Sequence, residues 1–240
     1  MNLKVLILPG DGIGAEVTRE AVRVLQTVAR KFNHDLTLTE GLLGGVAIHK
    51  TGTPLPEETS KLALEADATL MGAVGLPEFD NAPPAQRPER GLLGIRKILG
   101  VFANLRPVRT YAALIDSSPL KNALVEGTDM IIVRELTGGI YYGTPRGISG
   151  EGDEERAVNT MAYTRAEIVR VTRMAFNLAR ARRRKVTSVD KSNVLENSQL
   201  WRRVVCEVAP EFPDVQLDHL LVDNAAMQLV LNPRRFDVLL

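Results

Sequence analysis

The segment Arg134-Glu135-Leu136-Thr137-Gly138-Gly139-Ile140-Tyr141-Tyr142-Gly143 sets a cation and a phenol on either side of a glycine pair. A guanidinium binds an anion and a phenol can deliver a proton, so the pairing suits an anionic substrate that must be protonated. Arg96 and Arg106 stand upstream, the second within Asn104-Leu105-Arg106-Pro107, which makes three cations available to one polyanionic ligand. On residue types alone, three solvated surface arginines are the competing reading. Asp190-Lys191-Ser192-Asn193 follows the apolar run Val186 to Val189, placing a lysine at the carboxyl end of a strand, where open α/β sheets bind ligands. To act as a base near pH 7 a lysine must drop from a pKa of roughly 10.4, a differential of about 4 kcal/mol that burial or a nearby cation must supply. Pairing with Asp190 is the competing reading. Asp223 ends the strand-like Leu220-Leu221-Val222 and could bind a divalent metal. Magnesium or manganese takes about six oxygen ligands, so further groups must then come from substrate, water or other acids.

Other motifs carry less. Gly10-Asp11-Gly12-Ile13-Gly14 invites a dinucleotide fingerprint, yet Ala15 stands where the third glycine should be and Glu40 is only loosely where a ribose-binding acid belongs. The tight strand-to-helix turn is the stronger reading. The basic run Arg180-Ala181-Arg182-Arg183-Arg184-Lys185 closes a helix, where cations complement the macrodipole, and no aromatics interleave it, so it reads as a solvated face. His34, His49 and His219 are scattered and suggest no zinc site, and no serine or cysteine nucleophile motif is present. The single cysteine, Cys206, excludes a disulfide framework, fits a reducing and hence cytoplasmic setting, and reads as a small buried helix residue.

These groups need a scaffold, and the chain can build one. Its 240 residues, 45% hydrophobic, allow a substantial core in one large domain or two ordinary ones. Thirty basic against 29 acidic residues leave a net charge of +1, which argues against nucleic acid and anionic membranes as partners. Neither a signal peptide nor an apolar run long enough to span a bilayer is visible. Leu3 to Leu8 reads as a buried strand, followed by a helix over about 15–31, a strand near 36–40, a helix near 57–65 and a strand at 68–74, the alternation of α/β architecture. Residues 75–91 carry four prolines and little periodicity, a candidate ligand loop. Beyond Arg96 the pattern predicts an extended stretch at 102–109, a strand at 130–135 and a polar, glycine-rich, mobile or arm-like excursion over 143–155. Helices follow at 165–184, 194–208 and 224–231, with strands at 185–189, 215–222 and 236–240. The domains so predicted are 1–103 and 104–240, the second with its arm around 141–160.

Taken together, Leu8 to Gly14, Gly91-Leu92-Leu93-Gly94-Ile95-Arg96, Phe102 to Pro107, Arg134 to Gly143, Asp190 to Val194 and Val222-Asp223 closely resemble the β-decarboxylating dehydrogenases, which include isocitrate and tartrate dehydrogenases, and among them the 3-isopropylmalate dehydrogenases. The likeness runs along the whole chain. It implies a two-domain α/β fold that is not Rossmann. It also implies NAD-dependent oxidative decarboxylation of 3-isopropylmalate to 4-methyl-2-oxopentanoate and carbon dioxide in leucine biosynthesis, with Mg2+ or Mn2+. By the resemblance Arg96, Arg106 and Arg134 hold the malate carboxylates, Lys191 removes the hydroxyl proton and Tyr141 returns a proton after carbon dioxide leaves. Asp223 contacts metal and substrate, and Ile13 with Leu76, Pro77, Asp80 and Glu89 lies near the nicotinamide end of NAD. Leu92 and Leu93 offer an apolar wall that suits an isopropyl group and leaves a carboxylate unpaired, favouring isopropylmalate over isocitrate; tartrate and other alkyl malates stay open as substrates.

The resemblance further implies a homodimer in which Lys191 and Asp223 act across the interface and the stretch around 147–156 belongs to an intersubunit arm. Relatives continue past the strand matching Phe236 to Leu240 with two more metal-binding aspartates, a loop gripping the NAD adenosine and the remainder of the first domain. Together with the apolar ending Val238-Leu239-Leu240, this reads as a fragment of a longer protein. The alternative expectation is therefore a truncated, inactive chain able at most to associate or to bind a malate-like anion.

Overall fold

Val5, Leu6, Ile7 and Leu8 are all buried in the first strand, β1 (Asn2–Gly10), as an uninterrupted apolar run requires when both faces of a parallel strand are covered. The computed structural model describes all 240 residues, which divide into two units, Met1–Gly100 and Val101–Leu240. The boundary falls three residues before the one read from sequence.

In the first unit β1 is followed by α1 (Gly14–Lys31), β2 (Asp35–Glu40), α2 (Gly45–Thr51), α3 (Glu57–Glu65), β3 (Ala68–Ala73) and α4 (Pro88–Ile98). The three strands form a parallel sheet in the order β2-β1-β3, with Leu3 opposite Leu36 and Leu6 opposite Thr69. Its main buried cluster is Leu6, Leu8, Leu43, Ala63 and Ile95. Each large apolar side chain so buried contributes about 1.5–3 kcal/mol relative to exposure. Two helices escaped the sequence reading. α2 is short and is preceded by Gly44, whose φ of +84° no apolar periodicity announces. The segment expected to be irregular over 75–91 holds two single 3-10 turns, Pro77–Phe79 and Pro84–Gln86, and from Pro88 it is helical. Proline at a first helical position loses no hydrogen bond, so Pro88, one of the four prolines that suggested a loop, starts a helix instead.

The second unit contains β4 (Ala103–Arg109), α5 (Asn122–Val125), β5 (Asp129–Glu135), β6 (Arg146–Ser149), β7 (Arg156–Asn159), α6 (Arg165–Arg180), β8 (Lys185–Asp190), α7 (Glu196–Val208), β9 (Gln216–Leu221), α8 (Val222–Leu231) and β10 (Val238–Leu239). Five of its strands form one sheet in the order β4-β5-β10-β8-β9, with β4 antiparallel to β5 and every other pair parallel. The final strand thus lies in the middle. Helix α6 starts with a capping box, in which the Thr164 hydroxyl and the Glu167 carboxylate each satisfy the other's backbone N–H. Its Ile168, Val171, Ala175, Phe176 and Ala179 recur at helical spacing and are all buried, Phe176 meeting Phe212 at 5.0 Å between ring centres. The arm-like excursion contains a two-stranded antiparallel ribbon, β6 with β7, whose mostly exposed residues show no apolar alternation to read.

The basic run at the end of α6 is corrected from a solvated face to a clamp. Arg182 donates to the buried Asp237 (2.8 Å) and to Asp129 (2.7 Å), while Arg183 donates to the carbonyls of Asp129 and Phe236. These bonds tie the short β10 to its neighbours. Arg180 pairs with Asp214. The hydrogen bond from Arg182 holds the Asp129 carboxyl below the usual carboxylate range. Cys206 is also corrected: it lies on α7 but is exposed, because the buried face of that helix is Val204, Val205 and Val208.

Candidate functional site

Because β5, β10, β8 and β9 run parallel, their carboxyl ends share one edge of the second sheet. Such an edge is where open α/β sheets place ligands. At the end of β5 stands Arg134, directly opposite Asn104 on β4, so both side chains and that of Arg106 share one face. The Arg106 Nε donates to Asn104 Oδ1 at 2.6 Å. The Arg134 guanidinium lies 5.4 Å from the centre of the Tyr141 ring. These arginines differ from Arg165, Arg173, Arg180, Arg182 and Arg202, each of which is engaged with a carboxylate. Neither Arg106 nor Arg134 has an acidic partner, so their charge is available to an anion. Arg134 and Tyr141, with Ile140, Tyr163, Trp201 and Leu240, line a cavity of about 460 Å³.

A second cavity of about 370 Å³ shares Tyr163, Val189 and Trp201 with the first and contains Lys191. Tyr163 and Trp201 meet edge to face at 5.6 Å, and the indole N–H donates to the Ser188 hydroxyl. Burial raises the Tyr163 pKa above its ordinary value, the Glu135 charge adding to it. Lys191 does not pair with Asp190. The Asp190 side chain, 1% exposed, is taken by Arg202 at 2.8 Å and by the Ser192 N–H at 2.9 Å. Lys191 Nζ instead donates to Asp223 Oδ1 at 2.5 Å. That bond holds the Asp223 carboxyl below the usual range, helped by backbone N–H donation in the first turn of α8. Asp223 therefore opens a helix rather than ending a strand.

No group of three or more Asp, Glu, His or Cys side chains is arranged to hold a metal. Asp223 is a single carboxylate already bonded to a lysine, against the roughly six oxygens that magnesium or manganese takes. The residues of this chain do not by themselves fit the ion.

In the first unit Ile13 follows the carboxyl end of β1 and Leu76 that of β3, and the Glu89 carboxylate comes near Gly75. Ile13 caps the amino end of α1 and is 59% exposed. Leu76 precedes the turn Pro77–Phe79, Asp80 follows it, and Glu89 lies in the first turn of α4. Leu92 and Arg96 are one helical turn apart on α4, on either side of the buried Ile95 in sequence, and both are half-buried. Arg96 also lacks an acidic partner.

Two carboxylates that organise these edges were missed. Asp11, 3% exposed, accepts the N–H groups of Gly45, Val46 and Gly75, each at 2.8 Å, and so ties three loops together. A Cβ on Gly44 would lie 2.5 Å from that carboxylate, which explains the glycine. Glu135 plays a similar part beside Arg134. The one sequence signal for either is an acid next to glycines at a strand end.

The family profile described as isocitrate/isopropylmalate dehydrogenase matches residues 4–240. The chain belongs to that family. It is 59% identical over 99% of its length to a 3-isopropylmalate dehydrogenase of Geobacillus kaustophilus and 56% identical over 98% to one of Aquifex aeolicus, covering 64% and 65% of those proteins. Among solved structures it resembles isocitrate dehydrogenase from Methylococcus capsulatus, with a TM-score of 0.83 at 32% identity over 99% of this chain and 66% of that one. A β-decarboxylating dehydrogenase from Thermococcus kodakarensis gives a TM-score of 0.72, also at 32% identity, over 99% of this chain and 63% of that one. The chain thus spans slightly less than two thirds of the relatives' length. The α/β fold expected from the motifs is the fold of these family members.

Proposed function

We propose that the chain carries the substrate-binding and proton-transfer residues of an NAD-dependent 3-isopropylmalate dehydrogenase, which forms 4-methyl-2-oxopentanoate and carbon dioxide in leucine biosynthesis. The observation that carries this reading is the pairing of Arg134, free of any acid partner, with Tyr141 over a cavity at a carboxyl sheet edge. Arg96, Arg106 and Arg134 bind the two malate carboxylates, each charge-assisted contact contributing roughly 1.5–3 kcal/mol. Leu92 and Leu93 face the isopropyl group. Lys191 takes the hydroxyl proton, which requires that its Nζ first leave the hydrogen bond to Asp223 and turn to the substrate. Tyr141 protonates the carbon that departing carbon dioxide leaves with the electron pair.

NAD, when bound, supplies the hydride acceptor, and Ile13, Leu76, Pro77, Asp80 and Glu89 are the residues that would hold it. The exposed Ile13 side chain at the glycine turn fits an apolar ring face. The family reading makes Asp223 a ligand of Mg2+ or Mn2+, but one carboxylate is not a site and no step above depends on the ion. A homodimer is proposed on the exposed Val222, Met227, Val230 and Leu231 of α8, an apolar surface suited to a second copy. No helix is long and apolar enough to cross a membrane. A cytoplasmic location is part of the proposal, and one cysteine in 240 residues agrees with it.

The lone carboxylate favours a second reading, in which this chain binds a malate-like anion without turning it over. Turnover assays with NAD, Mg2+ and 3-isopropylmalate, alongside calorimetric titration with NAD, separate the two. NADH formation sinks the second reading. Failure to bind either isopropylmalate or NAD sinks the first.

A further inference from the structure

The turn that presents Tyr141 is built on a carboxylate that the proposed chemistry does not use. Glu135 follows Arg134 in β5, so the two side chains leave opposite faces of the sheet, and the Glu135 side chain is only 2% exposed. Its Oε2 accepts the N–H groups of Thr137 (2.9 Å) and Gly138 (2.7 Å). Its Oε1 accepts the Thr137 hydroxyl (2.8 Å) and Arg170 Nη2 (3.4 Å). Arg170 also donates to Thr137 Oγ1 and sets its guanidinium 4.9 Å over the Phe102 ring. A carboxylate offers about four acceptor directions, so this one is filled.

The next residues leave no slack. Gly139 has a φ of +81°, and a Cβ on it would lie 2.4 Å from the Tyr163 hydroxyl. Its N–H donates to the Ala162 carbonyl at 2.8 Å, and its own carbonyl accepts from Tyr142 and Gly143. Tyr141, by contrast, is 53% exposed, and the partner of its ring is the Arg134 guanidinium. A ring so open to solvent takes its aim from the backbone that carries it.

We propose that Glu135, braced by Arg170 and Thr137, is the positioning residue for Tyr141: its carboxylate locks the turn over 135–139 and thereby holds the phenol beside Arg134. The role rests on Tyr141 being the proton donor of the proposed reaction, whereas the geometry is a property of the unliganded chain.

The test reads that geometry first. The chain has four tyrosines, so ring-labelled tyrosine gives a small, assignable NMR spectrum, read together with amide exchange. Glu135→Gln is expected to move the Tyr141 resonances and speed exchange at Thr137 and Gly138 by about tenfold or more, leaving Tyr111 where it was. Arg170→Gln should act in the same direction to a smaller extent, and Glu135→Asp, charged but one methylene shorter, should fall between wild type and Glu135→Gln. Unchanged Tyr141 resonances and amide exchange overturn the proposal. So does a shift of all four tyrosines together with general loss of stability, the mark of a merely structural residue. If Glu135→Gln does not fold, Thr137→Val removes a single contact and must still displace Tyr141. In an enzyme that turns over, Glu135→Gln should lower kcat by about 10- to 100-fold with little change in KM, and cause no further loss in a Tyr141→Phe background. Equal losses in both backgrounds count against it. Absence of turnover in the unsubstituted chain strikes the functional reading and leaves the NMR result standing.

Discussion

The two sheet edges are each organised by a buried carboxylate that collects backbone N–H groups, and they differ in where those groups come from. Glu135 takes Thr137 and Gly138, two and three residues ahead of it, and adds Arg170. Asp11 takes Gly45, Val46 and Gly75, which are 34, 35 and 64 residues away, and has no cationic partner. The first arrangement closes a short loop and orients one side chain. The second joins three loops of the first unit and can form only once β1, α2 and β3 are in place, since each closure carries its own entropy cost. The edge proposed for the substrate's carboxylates is therefore locally determined, and the edge proposed for the cofactor depends on its whole unit.

The sharpest way to break this contrast is to remove Asp11. Asp11→Ala leaves three amides without their acceptor and is expected to cost about 3–5 kcal/mol in urea unfolding, with exchange accelerating at Gly45, Val46 and Gly75 while amides of the second sheet keep their protection. Equal loosening of both units would mean that the two edges are not independent.

Next in size, Arg134→Gln should weaken 3-isopropylmalate binding by about 1.5–3 kcal/mol, roughly 10- to 150-fold, without altering exchange at Thr137 and Gly138. Calorimetry with the substrate checks the first part. Unchanged affinity would return Arg134 to the class of solvated arginines. In the first unit, Leu92→Ser should lower the preference for isopropylmalate over smaller malates by about tenfold in kcat/KM, and an unchanged ratio would remove Leu92 from the proposed specificity wall.

The smallest effect concerns Lys191 and Asp223, a largely exposed pair whose attraction salt will screen. Folding lowers the Asp223 pKa, so its contribution to stability is present above about pH 3.9 and is lost as the pH falls through the folded value. In Lys191→Met the Asp223 titration followed by NMR should move up toward the ordinary carboxylate range. A titration that stays low in that variant would assign the shift to the backbone N–H groups at the start of α8.

Much of this was legible in the residues. The run from Leu3 to Leu8 and the start of α6 at Arg165 are local signals, and β1 and α6 lie over them, although α6 ends at Arg180, four residues short of the expected 184. Helix α4 was hidden because Pro88, at its start, looks like any loop proline until the backbone shows it at a first helical position. The partners of charged groups were harder. Lys191 chose Asp223 over its neighbour Asp190 because Arg202, one helix away, had already filled Asp190. Arg182 was read as solvated because Asp237, 55 residues on, cannot be known as its partner from the run itself.

By itself the sequence determined the α/β alternation, the family and the chemical types gathered near strand ends, since apolar periodicity and short motifs act over a few residues. Tertiary structure alone decided which charges are spent on each other and which remain free for a ligand. Ion pairs and buried carboxylates form between residues that only the fold brings within hydrogen-bonding distance, and the burial that makes Asp11 and Glu135 demand their partners exists only once the sheets have closed around them.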